Sequence, residues 1–302
     1  MVWDKKSTIV RFKNGAVRAA FRYGEHVAPG PAGRLARDLW FSAPPRMAEL
    51  PVPEGGEPFE VLAEGHAVRG LVWEPRVSAG STAEGTVYLM HGRGGRGAQF
   101  GAMVQPLVDA GFRVVLLDAP AHGSSDPGPA GPRRTNGIEF AKALDAVFCR
   151  FGPAEAVVAH SLGTIATYLA LRFGWLGTER LVLVAPMVES RSLFDQFQAA
   201  LGIGRRTRRA FDQAVLDWVG IPVAEFDARF QAGQVPALPT LVVTDRDDRQ
   251  TAYADVVDFA ETIGAPLVST EGLGHRKVLR DPEVVRTVVE FVTGARDRAA
   301  SA

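Results

Sequence analysis

The chain has 302 residues, with 34 Lys and Arg against 34 Asp and Glu, 46% apolar residues and one cysteine. Balanced charge provides no chain-wide basic field for a phosphate backbone, which argues against a dedicated nucleic-acid binder. A lone cysteine excludes an intrachain disulfide and a cysteine-rich zinc centre, so a core-driven globular fold of one or two domains is expected.

No apolar run reaches the roughly 18 residues of a membrane-spanning helix, because each one breaks at Gly, Pro or a charge. Met1–Gly24 scatters Lys5, Lys6, Arg11, Lys13, Arg18 and Arg22 among single apolar residues, without the apolar segment of a signal peptide. A cytoplasmic location is the expectation. Residues 1–56 read as a basic arm, with nine Lys and Arg up to Arg46 against Asp4, Glu25 and Asp38, followed by a breaker-rich stretch to Gly56. One short helix is expected near Leu35–Phe41, packed through Leu35, Leu39 and Trp40. A solvated amphipathic arm outweighs the other reading, contact with an anionic membrane surface.

Phe59–Leu62 and Ala67–Val72, separated by Glu64-Gly65-His66, predict an antiparallel hairpin. Short β-branched runs then recur at Thr86–Met90, Arg113–Leu117, Ala156–Ala159, Leu181–Val184, Leu241–Val243 and Leu267–Ser269, as strands buried on both faces do. Between them, Phe100–Val108, Phe140–Phe148, Tyr253–Ala260 and Val285–Val292 keep helical spacing, the last preceded by Asp281 as N-cap and Pro282 at the first helical position. Strand and helix in alternation predict an α/β fold with a mostly parallel sheet covered on both sides. The rhythm breaks at 187–238, which offers helical pieces (Leu193–Leu201, Arg208–Val219) and reads as a cap inserted over the carboxyl edge of the sheet. The core is then 57–186 together with 239–302.

Several residues lie at strand ends. Ala159-His160-Ser161-Leu162-Gly163 puts a serine between a strand and a helix, flanked two residues away on each side by the small residues a sharp turn demands. The helix would aim its N-terminal N–H groups at a developing anion. The bland alternative for this serine is a helix N-cap. His91-Gly92-Arg93-Gly94-Gly95 is a glycine-rich turn after a strand, and the Gly-Lys-Ser/Thr ending of a phosphate loop is absent. His275 follows the strand at Leu267 and stands where a general base is needed, whereas His122 is read as shaping a loop at the pocket rim. The acids of Asp245-Arg246-Asp247-Asp248-Arg249, after the strand at Leu241, stand where a carboxylate orients the imidazole. The order serine, acid, histidine is the one this architecture uses for acyl transfer.

Taken together these segments resemble the alpha/beta-hydrolase superfamily over about residues 57–297. His91–Gly95 is similar to its HGxGG oxyanion turn and Asp118-Ala119-Pro120-Ala121-His122-Gly123-Ser124-Ser125 to its D-x-P-G-H-G-x-S segment. Ala159–Gly163 is similar to its nucleophile elbow, and Gly274-His275 to its histidine loop. The resemblance implies Ser161 as nucleophile, His275 as base and the backbone N–H groups of Arg93 and Leu162 as oxyanion donors. It places the acid at Asp248, with Asp247 or Asp245 as fallbacks. Ala159 and Ala121 stand where the family commonly has Gly.

The function expected is hydrolysis of a carboxylic ester or thioester through an acyl-enzyme, with no cofactor and no metal. Carbon–carbon bond or amide hydrolysis on the same fold is the alternative, as is a non-catalytic binding protein. The expected partner is a small-molecule acyl substrate. Arg205-Arg206-Thr207-Arg208-Arg209 in the cap reads as a solvated helical face before an anionic contact, and Cys149 as a packed thiol. Phe194, Phe197, Leu201, Phe211 and Trp218 read as cap core rather than as an acyl pocket.

Overall fold

A computed structural model of the chain describes residues 15–43, 45, 47–75 and 83–294, and not the side chains of 190–192. Lys5, Lys6, Arg11, Lys13 and Arg46 of the basic arm lie outside the described residues. The strands are β1 (Glu57–Ala63), β2 (His66–Trp73), β3 (Thr86–Met90), β4 (Arg113–Asp118), β5 (Ala154–His160), β6 (Thr178–Val184), β7 (Thr240–Asp245) and β8 (Leu267–Thr270). They form one sheet in the order β1-β2-β4-β3-β5-β6-β7-β8. β1 and β2 are the expected hairpin. Glu64 and Gly65 at its tip have φ of 50° and 81°, the left-handed pair that fits a tight turn to right-twisted strands. β2 is antiparallel to β4, and every pairing from β4 to β8 is parallel.

The helices are α1 (Gly15–Val27), α2 (Pro29–Trp40), α3 (Gly101–Asp109), α4 (Gly137–Phe151), α5 (Leu162–Arg172), α6 (Ser190–Leu201), α7 (Arg205–Val219), α8 (Ala228–Ala232), α9 (Tyr253–Thr262), α10 (Gly274–Lys277) and α11 (Pro282–Val292). Alternation along the strands divides the core in two. Tyr88 and Met90 of β3 face a cluster with Phe140, Leu144, Ile165 and Leu169 of α4 and α5. Val87 and Leu89 face one with Met103, Leu107, Val284 and Val288 of α3 and α11. Asp281 caps α11 as expected, accepting from the N–H groups of Glu283 and Val284 at 3.1 Å. β8 is only half-buried, unlike the other parallel strands, because it ends the sheet. Cys149 is exposed rather than packed: its place on α4 faces outward, with Sγ 3.6 Å from Asp145.

The amino-terminal region differs most from expectation. Its described residues hold two helices, not one, and the second of these starts at Pro29 rather than near Leu35. Pro29 and Pro31 do not break it, since both lie in the first turn, where a missing N–H has no helical carbonyl to lose. Leu35 does not pack; it is 49% exposed, while Ala32, Gly33, Ala36 and Trp40 form the buried face. That face meets α7 at close range, and a Cβ on Gly33 would lie 2.6 Å from the Ala210 backbone. Glu25 of α1 caps α7, its carboxylate accepting from Arg206 N at 2.8 Å and Thr207 N at 2.9 Å. Burial opposes its charge, but these N–H groups and the helix dipole hold its carboxyl below the usual carboxylate range. The Arg cluster at the start of α7 is thus tied to the arm, and its Arg208 reaches Asp212 at 2.9 Å and Asp195 at 3.3 Å. Glu25→Ala is expected to cost about 1 kcal/mol, the usual worth of a cap. Because the folded-state pKa is lowered, that contribution is complete at neutral pH and fades as pH falls through the carboxylate range. The difference between wild type and variant in urea melts should therefore narrow as pH is lowered from 7 through the carboxylate range.

Candidate active site

The carboxyl ends of β3 and β5 meet where the strand order reverses, since β3 runs to β4 on one side and β5 on the other. Ser161 sits there between β5 and α5 with φ 53° and ψ −120°. A residue other than Gly in such a conformation costs about 1–3 kcal/mol and persists where its surroundings fix it. Here Ser161 N donates to Val184 O at 3.2 Å, and Ser161 O accepts from Thr164 N at 3.0 Å and Met187 N at 3.2 Å. The Ser161 hydroxyl makes no capping bond to the helix it opens. Leu162 is the first helical residue, so its N–H has no carbonyl one turn back within the helix. Ala159 is buried in β5, paired with Met90 and Leu183, and the small side chain fits where the family often has Gly.

Of the three acids at the end of β7 and in the loop after it, Asp248 is the one bonded to His275, with Oδ2 2.7 Å from Nδ1. Asp248 also accepts from Thr251 Oγ1 at 2.7 Å and Gln250 N at 2.7 Å. Burial works against its charge, yet the His275, Thr251 and Gln250 bonds hold its carboxyl below the usual range. Burial likewise pushes His275 below the ordinary imidazole value, against the raising effect of Asp248. With Asp248 ionised, Nδ1 carries the proton and Nε2 presents a lone pair. The other two acids build the loop instead. Asp245 accepts from Thr270 Oγ1, Leu273 N and Asp247 N at 2.7, 3.0 and 2.9 Å, and Asp247 from Gly272 N at 3.0 Å.

The turn after β3 is held by histidines. His91 Nε2 accepts from Ala119 N at 2.9 Å while its Nδ1 lies 2.7 Å from Gly92 O. His122 Nε2 accepts from Gly94 N at 2.9 Å, with Nδ1 2.9 Å from Pro120 O. Burial lowers both, His122 to about 3, so both are neutral acceptors at pH 7. Gly94 and Gly95 N–H are thereby committed within the protein, the latter to Gly92 O at 3.0 Å. Gly92 itself abuts Ser161, since a Cβ there would lie 2.7 Å from Ser161 Cβ. Ala121 takes φ 64° in place of the family's Gly, a strain of about 1–2 kcal/mol.

His160 has a role the sequence did not disclose. Its Nε2 lies 2.8 Å from His275 O, and the two rings are 4.6 Å apart. Burial drives its pKa well below the ordinary value, so a neutral ring donates Nε2–H to the carbonyl and ties the histidine loop to the residue before Ser161.

Beside Leu162 lies a cavity of about 40 Å³, lined largely by Trp40, Phe41, Met187, Phe194 and Phe226. Arg93 also reaches its wall, where burial lowers the guanidinium to about 10 and one nitrogen donates to Ser42 O. Of the aromatics in 187–238, Phe194 lines the cavity; Phe197 and Phe211, like Leu201, are buried in the core. Among the described residues no group of three or more His, Cys, Asp or Glu is placed to hold a metal ion. No helix among them is long and apolar enough to cross a membrane.

The same architecture is found in known proteins. An esterase of Pyrococcus furiosus superposes with a TM-score of 0.62 at 16% identity, over 83% of this chain and 96% of the esterase. A thioesterase domain from the curacin biosynthetic pathway gives 0.55 at 16% identity, over 79% and 99%. In sequence the chain is 44% identical over 59 residues to a 2-hydroxy-6-oxononadienedioate/2-hydroxy-6-oxononatrienedioate hydrolase of Cupriavidus pinatubonensis, a match spanning 18% of this chain and 20% of that enzyme. The sequence profile of the Alpha/beta hydrolase family matches residues 87–299, which includes the elbow, the acid loop and the histidine loop. With the eight-stranded sheet and its reversed strand order, that match makes this chain a member of the alpha/beta hydrolase family.

Proposed function

We propose that the chain is a serine hydrolase of carboxylic esters or thioesters. The observation that carries this reading is the 2.7 Å bond from His275 Nδ1 to buried Asp248, on a loop tied by His160 to the strained Ser161. In the proposed reaction His275 Nε2 takes the Ser161 proton as Oγ attacks the acyl carbon. The oxyanion forms against the N–H groups of Leu162 and Arg93, and the dipole of α5 favours the same charge. Collapse expels the alcohol or thiol, which takes its proton from His275. Water, deprotonated by the same nitrogen, then releases the acid and restores Ser161. Asp248 keeps the proton on Nδ1 and stabilises the imidazolium without itself being protonated.

Hydrolysis of p-nitrophenyl esters and acyl thioesters by wild type, lost in Ser161→Ala, tests this. The base must be neutral, and His275 lies below its ordinary value of about 6.5. The acidic limb of kcat/KM is therefore expected to have its midpoint below that pH, with a plateau by pH 7. A limb centred above 7 would point to a different base.

The short match to the dienedioate hydrolase favours a second reading, in which the same three residues cleave a carbon–carbon bond in a 2-hydroxy-6-oxo dienoate. Loss of dienoate absorbance on incubation with wild type, without turnover of simple esters, would select it.

A further inference from the structure

The amino-terminal helix pair lies outside the hydrolase core, yet the chain at its end lines the cavity beside Leu162, the residue that follows Ser161. Trp40 and Phe41 are buried and line the cavity beside Leu162, together with Met187, Phe194 and Phe226 of the segment 187–238. We propose that α1 and α2 are the second half of the lid, and that Trp40 and Phe41 close this cavity to long acyl chains. The assignment rests on the serine-hydrolase reading.

Size and rigidity both argue for a limit on length. The cavity of about 40 Å³ is roughly a quarter of the 150 Å³ apolar cavity that accepts benzene in an engineered protein. Its walls are mostly hydrocarbon, which suits an unsubstituted acyl chain. The aromatic wall is fixed on several sides. Trp40 stacks on Phe194 at 3.9 Å between centroids and meets Phe197 edge-on at 5.1 Å. Phe41 meets Trp218 edge-on at 5.0 Å. The chain at and just beyond Phe41 is pinned to the loop before α4, with Ala43 N 2.6 Å from Arg133 O and Thr135 N 3.1 Å from Phe41 O. Behind it, the Gly33 contact with α7 and the Glu25 cap hold the pair on the insertion. A longer chain must therefore displace a packed aromatic cluster rather than an open loop.

The test uses two series on full-length protein. In one the acyl group grows (p-nitrophenyl acetate, butyrate, octanoate); in the other the acyl group stays acetyl and the alcohol grows. Wild type is expected to prefer acetate and butyrate. Trp40→Ala, which removes the indole, should raise the octanoate-to-acetate ratio of kcat/KM by at least about 10-fold, the discrimination of one methylene at a hydrophobic pocket. The ratio in the alcohol series should stay put. Trp40→Leu and Phe41→Leu keep an apolar wall should the alanine variant fail to fold, and are expected to move the acyl ratio the same way. Because each ratio is internal to one variant, a partly inactive preparation does not alter it. Unchanged acyl ratios in these variants, with Ser161 still modified by a fluorophosphonate, would overturn the lid assignment and leave the hydrolase intact. A shift confined to the alcohol series would overturn it too. Wild type that neither turns over esters nor reacts with the probe would remove the hydrolase reading and this inference with it.

Discussion

Asp248→Asn is expected to lower kcat/KM by about 10⁴-fold, while Asp247→Asn stays within about threefold of wild type. The three acids stand together at the end of β7 and just beyond it, but their bonds differ. Only Asp248 Oδ2 meets His275 Nδ1, whereas exposed Asp247 serves the Gly272 N–H and buried Asp245 anchors the start of the histidine loop. An amide at 248 can turn its NH₂ toward the ring, which favours the tautomer with the proton on Nε2 and leaves no lone pair for the serine. It also removes the raising effect of the carboxylate, so any residual activity should titrate at lower pH than wild type. Asp245→Asn predicts a different outcome, lower stability through the Thr270, Leu273 and Asp247 bonds it accepts. Kinetics of the three variants beside their denaturation midpoints separate these roles. Equal kinetic losses at 247 and 248 would contradict the assignment.

Gly163→Ala should lower activity about 100-fold and stability by about 1–3 kcal/mol, although Gly to Ala ordinarily stabilises a helix by about 0.5–1 kcal/mol. The sign reverses because of what the methyl meets. A Cβ at 163 would lie 2.5 Å from Met90 O and 3.0 Å from His91 O, both backbone atoms at the end of a fully buried central strand. The strand is paired on both sides and cannot yield, so the first turn of α5 must. That turn carries the Leu162 N–H and fixes Ser161. Urea melts and esterase rates on one preparation read both effects; a more stable variant of undiminished activity would show that the elbow has slack.

What could be read from the chain alone follows the range of the interactions. The run from β5 through Ser161 into α5 was legible because its constraint is local: a sharp turn demands small residues two positions away on either side. Alternation of strand and helix likewise fixed the sheet, and the Asp281-Pro282 start of α11 was plain. Long-range partners were not. Nothing near His160 in sequence shows that its ring bonds the carbonyl of His275, or near Glu25 that its carboxylate caps a helix in the inserted segment. α1 is not legible in the sequence because basic residues interrupt its apolar face, on which Phe21 is buried. Leu35 reads as a packing residue by type, yet the face that packs is set by Gly33, Ala36 and Trp40, whose contacts come from α7 and α6. Cys149 faced outward for the same reason: residue type suggested burial, and helix phase decided otherwise.

The central claim is that Ser161 is an activated nucleophile. Incubating wild type with a fluorophosphonate and mapping the modified peptide by mass spectrometry tests it directly, with Ser161→Ala and His275→Ala as partners. The account predicts one adduct on Ser161, none in Ser161→Ala and much slower formation in His275→Ala. Folded wild type that takes up no adduct, or takes it at another residue, would contradict it.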